Sequence, residues 1–274
     1  MALSEKLNIE LKPNDAEFNL TKALSETYQL DKHIAIISKE GEKAAKEYQI
    51  EKALDKMEDE WKGVQFTIDA YKETKTYRLS GVDEIMQQLD EHRVSTQAMQ
   101  FSAFKGPFEE RIKTWDQKLS LISEVIDEWL MVQRNWLHLQ PIFDSADIMK
   151  QLPAEGKKFN SVDRLWRQTM ESCKNNPNVL VFADNEALLL KFKEATRTLD
   201  QVQKGLSDYL NTKRAAFSRF YFLSDDELLQ ILSQTKDVKA VQPHIKKCFE
   251  SIKKLKFDDN LQITAMYSPE GEEF

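Results

Sequence analysis

Residues 129–153, WLMVQRNWLHLQPIFDSADIMKQLP, hold two of the chain's five tryptophans, and their reading decides the rest. Trp115, Leu119, Ile122, Ile126, Trp129, Gln133 and Trp136 recur at alternating steps of four and three. That spacing places them on one stripe of an α-helix. Two indoles near the helix end make a large apolar anchor. Pro141 lacks the N–H that a helix interior needs. The pattern therefore predicts a helix over Phe108–Leu139, a break at Pro141 and a new start at Asp144 and Ser145.

Upstream, a long helix is expected over Leu30–Trp61. Leu30, Ile34, Ile37, Ala44 and Tyr48 form one stripe, and Ile50, Leu54, Met57 and Trp61 a second, shifted one. The period then becomes two. Val64, Phe66, Ile68 and Ala70 alternate with Gln65, Thr67 and Asp69, so residues 64–79 read as a β-hairpin turning at Lys72–Lys75. Val82, Ile85, Met86 and Leu89 mark a helix to Asp90, and Ser95 a new cap before Met99 and Phe101. Residues 1–27 are weakly patterned, with Pro13 and Asn14 breaking them and a short helix at Ala16–Ala23.

Downstream, the loop AEGKK precedes a helix bearing Phe159, Val162, Trp166, Met170 and Cys173. Asn175–Asn178 end it. VLVF at 179–182 is too short to assign. Asp184 is the expected cap of a helix carrying Leu188, Phe192, Ala195, Leu199, Val202, Leu206 and Tyr209. Ser224 with Glu227 forms a capping box. Pro243 sits in the first turn of a helix with Ile245, Cys248, Phe249, Ile252 and Leu255. Its Lys246, Lys247, Lys253 and Lys254 read as a solvated face. Ile263–Tyr267 reads as a strand turning at Pro269–Gly271, a hairpin at which the chain looks cut from a longer protein. The expected fold is mostly α, an elongated rod of helix bundles with one or two small β-hairpins. Its expected divisions are a lead-in 1–27, a bundle 28–174 and a second subdomain 175–274.

Composition bounds the function. Across 274 residues, 31% are charged and 41% apolar, which suits a folded, soluble chain. The net charge of -7 argues against nucleic acid as a partner. No apolar run nears the roughly 20 residues of a membrane span, and no secretory signal opens the chain. An intracellular, reducing setting is expected, with Cys173 and Cys248 as buried thiols. There is no GxxxxGK[ST], GxGxxG or GxSxG. His33, His92, His138 and His244 are dispersed. His244 and Cys248 stand four apart, but two ligands do not make a metal site. His138 reads as a packed or capping histidine. Glu58, Asp59, Glu60 and Asp69 form no evident acid–base couple.

The segment from Trp129 to Met170 resembles the dynein heavy chain linker. The likeness rests on Trp129, Gln133, Arg134, Trp136, Leu137, Pro141, Ile142, Phe143, Asp147, Ile148, Leu152, Pro153, Glu155, Phe159, Trp166 and Met170. The stretch LDKHIAIISKEGEKAAKEYQIEKALDKMEDEW, the hairpin with Tyr71 and Tyr77, and SPEGEE extend it over residues 28–274. LSDDELLQILSQTKD resembles the axonemal (ciliary) members. The resemblance implies a lever lying across a ring of six AAA+ modules, moved by nucleotide turnover to drive motion along microtubules in the cytoskeleton of a cilium or flagellum. It implies no cofactor in this segment, with ATP and Mg in the ring. The AAA+ ring is the implied partner, with microtubules reached through the parent chain and intermediate or light chains as further candidates. Neither nucleic acid nor membrane is expected. Trp129, Gln133, Trp136, Leu137, Pro141, Ile142, Phe143, Asp147, Ile148, Leu152 and Pro153 would form a packed structural corner. The competing reading is a spectrin-like scaffold or adaptor. It lacks the internal repeat such proteins show, and the hairpins count against it. A membrane-bending module would need a continuous basic face.

Overall fold

A computed structural model describes residues 2–7, 19–25, 28–233 and 237–274. They are mostly α-helical, with two small antiparallel hairpins. Pro13, Asn14 and residues 16–18 of the expected short helix lie outside the described residues. The chain forms two compact units, Met1–Val64 with Asp83–Ser120, and Gln65–Val82 with Leu121–Phe274.

The first unit holds α1 (Ala2–Leu7), α2 (Leu20–Ala23), α3 (Ile34–Lys62), α4 (Val82–Gln100) and the start of α5 (Glu109–Phe143). The second stripe of α3 is its buried face: Ile50, Leu54, Met57 and Trp61. The first stripe is not core, since Ile34 is 65% and Tyr48 57% exposed. The side chains of α4 and α5 that meet α3 do so on its C-terminal half. Arg111 of α5 forks onto Glu58 at 3.0 and 2.9 Å and reaches Asp55 at 2.8 Å. The Trp61 indole N–H donates to His92 Nδ1 of α4 at 2.8 Å.

Helix α4 does not stop at Asp90, and Ser95 is no cap. The helix runs through to Gln100 because neither Gly nor Pro interrupts it. Its buried Thr96 hydroxyl donates to the His92 carbonyl at 2.7 Å, satisfied without breaking the helix. Phe101 lies beyond the end and is 89% exposed.

The second unit takes the rest of α5, with β1 (Thr67–Tyr71), β2 (Thr76–Ser80), α6 (Ala146–Gln151), α7 (Pro153–Asn175), α8 (Val179–Ala183), α9 (Glu186–Ala216), α10 (Asp225–Ser233), α11 (Gln242–Cys248), β3 (Lys254–Phe257) and β4 (Ile263–Tyr267). In the first hairpin Thr67 pairs with Ser80 and Tyr71 with Thr76. The turn between uses positive φ at Lys72 and Lys75. Helices α7 and α9 pack along one another; α7 buries Phe159, Val162, Trp166, Met170 and Cys173, and α9 buries Phe192, Ala195, Leu199, Val202 and Leu206.

Four expectations change here. Pro141 does not break α5, which continues to Phe143. The proline forfeits a single backbone bond in the last turn, and the Asp144 N–H still reaches the Gln140 carbonyl at 2.9 Å. Phe143 is buried and stacks on Phe159 at 5.1 Å, which offsets that loss. Second, AEGKK is helical, because Pro153 occupies the first turn of α7, where its fixed φ fits. Gly156 serves close approach, since a Cβ there would stand 2.7 Å from Met149 Sδ. Third, Asn185 rather than Asp184 caps α9, its side-chain oxygen accepting from the Leu188 N–H at 3.0 Å. Fourth, α11 ends at Cys248, with Phe249 extended at φ -138° and ψ 102°. Arg219 fixes this end by donating to the Cys248 carbonyl at 2.9 Å while lying over the Phe249 ring. Leu255 pairs with Met266 in the second hairpin. The Ser224–Glu227 box is present: the Ser224 N–H donates to Glu227 Oε2 at 3.0 Å, and the Glu227 N–H to Ser224 Oγ at 3.3 Å.

Candidate functional site

The candidate site is an aromatic seam where α5 meets the first hairpin, α7 and α9. The stripe of α5 aims Trp129 and Trp136 into the core of the second unit, both fully buried. Trp129 stacks between Phe182 and Phe192, each at 5.3 Å, and takes the edge of Phe66 at 5.2 Å. Trp136 stacks on Trp166 at 5.3 Å and meets Tyr71 edge-on at 5.4 Å. Such pairs add about 0.5–1.5 kcal/mol each beyond burial. The Trp136 indole N–H donates to Asp163 at 3.0 Å, while those of Trp129 and Trp166 meet no hydrogen-bond acceptor among the described residues. Close stacking therefore sets their positions.

Polar side chains sew the hairpin to this seam. The Gln133 amide imitates a neighbouring strand: its oxygen accepts from the Leu79 N–H at 2.8 Å and its NH2 donates to the Leu79 carbonyl at 3.0 Å. Arg167 of α7 donates to the Thr74 carbonyl in the turn at 2.7 Å and to Asp163 at 2.8 Å. Lys174 donates to the Tyr77 hydroxyl at 2.5 Å and lies over a ring face, 4.3 Å from its centre. The Phe66 N–H donates to the Pro177 carbonyl at 2.8 Å.

Trp129, Trp136, Phe143, Ile148 and Leu152 are buried, Gln133, Leu137, Ile142 and Asp147 half-buried, and Pro141 and Pro153 exposed. Sequence reasoning missed Tyr71, Asp163, Arg167 and Phe182 as members. The hairpin register, the facing of α7 on α5 and the seat of α8 against Trp129 bring them in. His138 is exposed, so it is not packed as expected, because it falls on the solvent side of the stripe that buries Trp136 and Leu139.

Burial pushes the Cys173 thiol up to about 12, so it stays protonated and unreactive. Cys248 is raised too, by burial. Among the described residues, no three of His, Cys, Asp or Glu are grouped to hold a metal ion. No helix among them is long and apolar enough to cross a membrane.

The arrangement is a helical module packed around a seam of aromatic rings. Residues 1–274 match the family "Dynein heavy chain, N-terminal region 2", and the chain belongs to that family. Dynein axonemal heavy chain 1 of Mus musculus is 53% identical over 271 residues, 99% of this chain and 6% of its own length. Dynein axonemal heavy chain 12 of Homo sapiens is 50% identical over 229 residues, covering 84% of this chain and 7% of its own. Dynein axonemal heavy chain 3 of Mus musculus is 44% identical over 270 residues, or 98% and 6%. The chain thus spans a small fraction of the length of these relatives.

Proposed function

We propose that this chain is the lever segment of an axonemal dynein heavy chain, carrying the effect of ATP turnover in an AAA+ ring to force on microtubules. The observation that carries the reading is the family match over all 274 residues, together with 53% identity over 271 residues to an axonemal heavy chain. The aromatic seam supports it, because a part that transmits force must resist shear between its elements. Stacked indoles and side-chain-to-backbone bonds tie α5, α7, α9 and the hairpin together. Trp129, Gln133, Trp136 and Phe143, all on the unbroken α5, act as the packed face of the lever. ATP and Mg bind in the ring of the parent chain, and the setting is the cytoskeleton of a cilium or flagellum.

The test replaces this segment, within the parent heavy chain, by a spectrin-like helical bundle of similar length. ATP turnover should persist while microtubule gliding stops. Gliding at the parental velocity would mean that any helical spacer suffices and that the lever reading is wrong. Specific ATP binding by the 274-residue chain would equally overturn it.

A further inference from the structure

Ser224 stands exposed at the start of α10. The three residues after it, Asp225, Asp226 and Glu227, are all acidic. The capping box uses Ser224 and Glu227. Asp226 is exposed and has no ion pair among the described residues. Kinases choose substrates by charge pattern, and a serine followed by three carboxylates is the pattern that acidophilic serine kinases bind, the third carboxylate foremost. That third group is ionised here: Lys247 first, then the Ser224 backbone N–H, hold the Glu227 carboxyl down at about 2. Leu223, just before the serine, is extended at φ -100° and ψ 141°. The end of a helix is also where local opening begins.

An acidic helix start is common, so the groups around it decide. Arg214 of α9 donates to the Leu223 carbonyl at 3.1 Å and pairs with Asp225 at 2.7 Å. Lys247 of α11 meets Glu227 Oε1 at 2.6 Å. Behind them lies His244, 5% exposed, with neither ring nitrogen hydrogen-bonded. Its Nδ1 is aimed at the same Glu227 oxygen from 3.8 Å, beyond hydrogen-bonding reach. A buried polar group left without a partner costs stability. The contacts of the Ser224 hydroxyl are long, 3.2 Å to Glu227 Oε2 and 3.3 Å to the Glu227 N–H. Arg214, Lys247 and His244 thus surround one serine with more donors than Glu227 alone fills.

We propose that Ser224 is the phosphorylation site of an acidophilic kinase, and that the phosphate replaces Glu227 as the partner of the serine's surroundings. In the transfer, Ser224 Oγ bonds to the γ-phosphorus of ATP, the bond to ADP breaks, and the hydroxyl proton passes to the kinase's catalytic base. The phosphate brings about -1.5 to -2 charges and three acceptor oxygens. It suits the N-terminus of a nine-residue helix, and takes Arg214 and Lys247 as donors. Like charge drives Glu227 away from it, and Glu227 closes the gap to His244. A change at the surface thereby rearranges the contact between α10 and α11. The proposal depends on neither the lever reading nor the ring.

The experiment incubates the full 274-residue chain with ATP, Mg and an acidophilic serine kinase of the casein-kinase class, and maps phosphate by mass spectrometry. The expected result is phosphate on Ser224. Glu227→Gln keeps the capping box, because Gln serves at that position, but removes the third carboxylate. It should slow modification by about tenfold. Ser224→Thr keeps both the cap and an acceptor hydroxyl and should still be modified. In the phosphorylated chain, the zero-length carbodiimide crosslink between Lys247 and Glu227 should fall by about fivefold, because the phosphate has taken the lysine. Phosphate on other residues but not on Ser224, an unchanged rate in Glu227→Gln, or an undiminished Lys247–Glu227 crosslink would each overturn the proposal.

Discussion

Gln133 is the polar member of an apolar stripe, and its two bonds to Leu79 give it a specific task. The second hairpin repeats the device: Gln242 of α11 accepts from the Leu255 N–H at 3.0 Å and donates to the Leu255 carbonyl. In each case a helix-borne amide closes part of a strand edge that would otherwise lack partners. Leu79 is only 3% exposed, so its backbone groups find little water if the amide is removed. Gln133→Leu keeps the volume and orphans both groups, and should lower unfolding free energy by about 1–3 kcal/mol, read by urea denaturation. An unchanged midpoint would mean the amide is incidental. His92 makes a second residue-scale prediction. Its Nδ1 accepts from Trp61, so Nε2 carries the proton and points to Glu60 Oε2 at 3.2 Å. Burial holds its pKa below the ordinary 6.5, with Lys56 adding slightly and Glu60 and Glu91 opposing. Because the folded value is depressed, the unfolded chain binds the extra proton first. The stabilising contribution is therefore complete above 6.5 and is lost as pH falls from there through the folded value. Wild type should lose more stability than His92→Gln between about pH 7.5 and 5.5, and parallel curves would refute this.

At the scale of elements, periodicity was a good guide where one face met one neighbour. The stripes of α5, α7 and α9 and the first hairpin are where residue spacing puts them. It failed where tertiary geometry chose between two locally acceptable options. Asp184 and Asn185 are both fair caps, and only the chain path out of α8 selects Asn185. The first stripe of α3 is as apolar as the second, yet among the described residues Ile34 and Tyr48 of it stay exposed. For α11, a helical stripe ending in Leu255 masked the period-two run Lys254–Phe257, which the strand uses. The aromatic seam was half legible: its tryptophans stand on a visible stripe, whereas Tyr71, Asp163 and Phe182 arrive through long-range packing. Pro141 bears on mobility. Because α5 passes through it and Phe143 is pinned on Phe159, residues 136–148 should open slowly. Between α7 and α8 the backbone leaves helical geometry at Asn176, with φ -142° and ψ 86°, and Asn175 and Asn176 are exposed. Amide hydrogen exchange should be faster over 174–179 than over 136–148. The reverse order would place the soft point at the proline.

At the scale of the whole molecule, the lever reading makes coupling depend on packing rather than on chemistry. Trp136 is the informative position, because one side chain touches the hairpin through Tyr71 and α7 through both Trp166 and Asp163. Truncating it to Ala would cost about 3–5 kcal/mol, a large part of the roughly 5–15 kcal/mol that holds a typical domain together. Loss of function could then reflect unfolding. Trp136→Phe is the better probe. It keeps an aromatic face against Trp166, drops the Asp163 bond and leaves a modest void. In the parent heavy chain this variant should hydrolyse ATP at the parental rate yet move microtubules more slowly, because the lever reading assigns turnover to the ring and displacement to the stiffness of the seam. Val94→Ala, at a position 66% exposed, is the control and should change neither. Circular dichroism of both variants checks that the fold survives. If Trp136→Phe slows hydrolysis and gliding in equal proportion, the seam acts on the ring's chemistry. If it slows neither, force does not pass through Trp136.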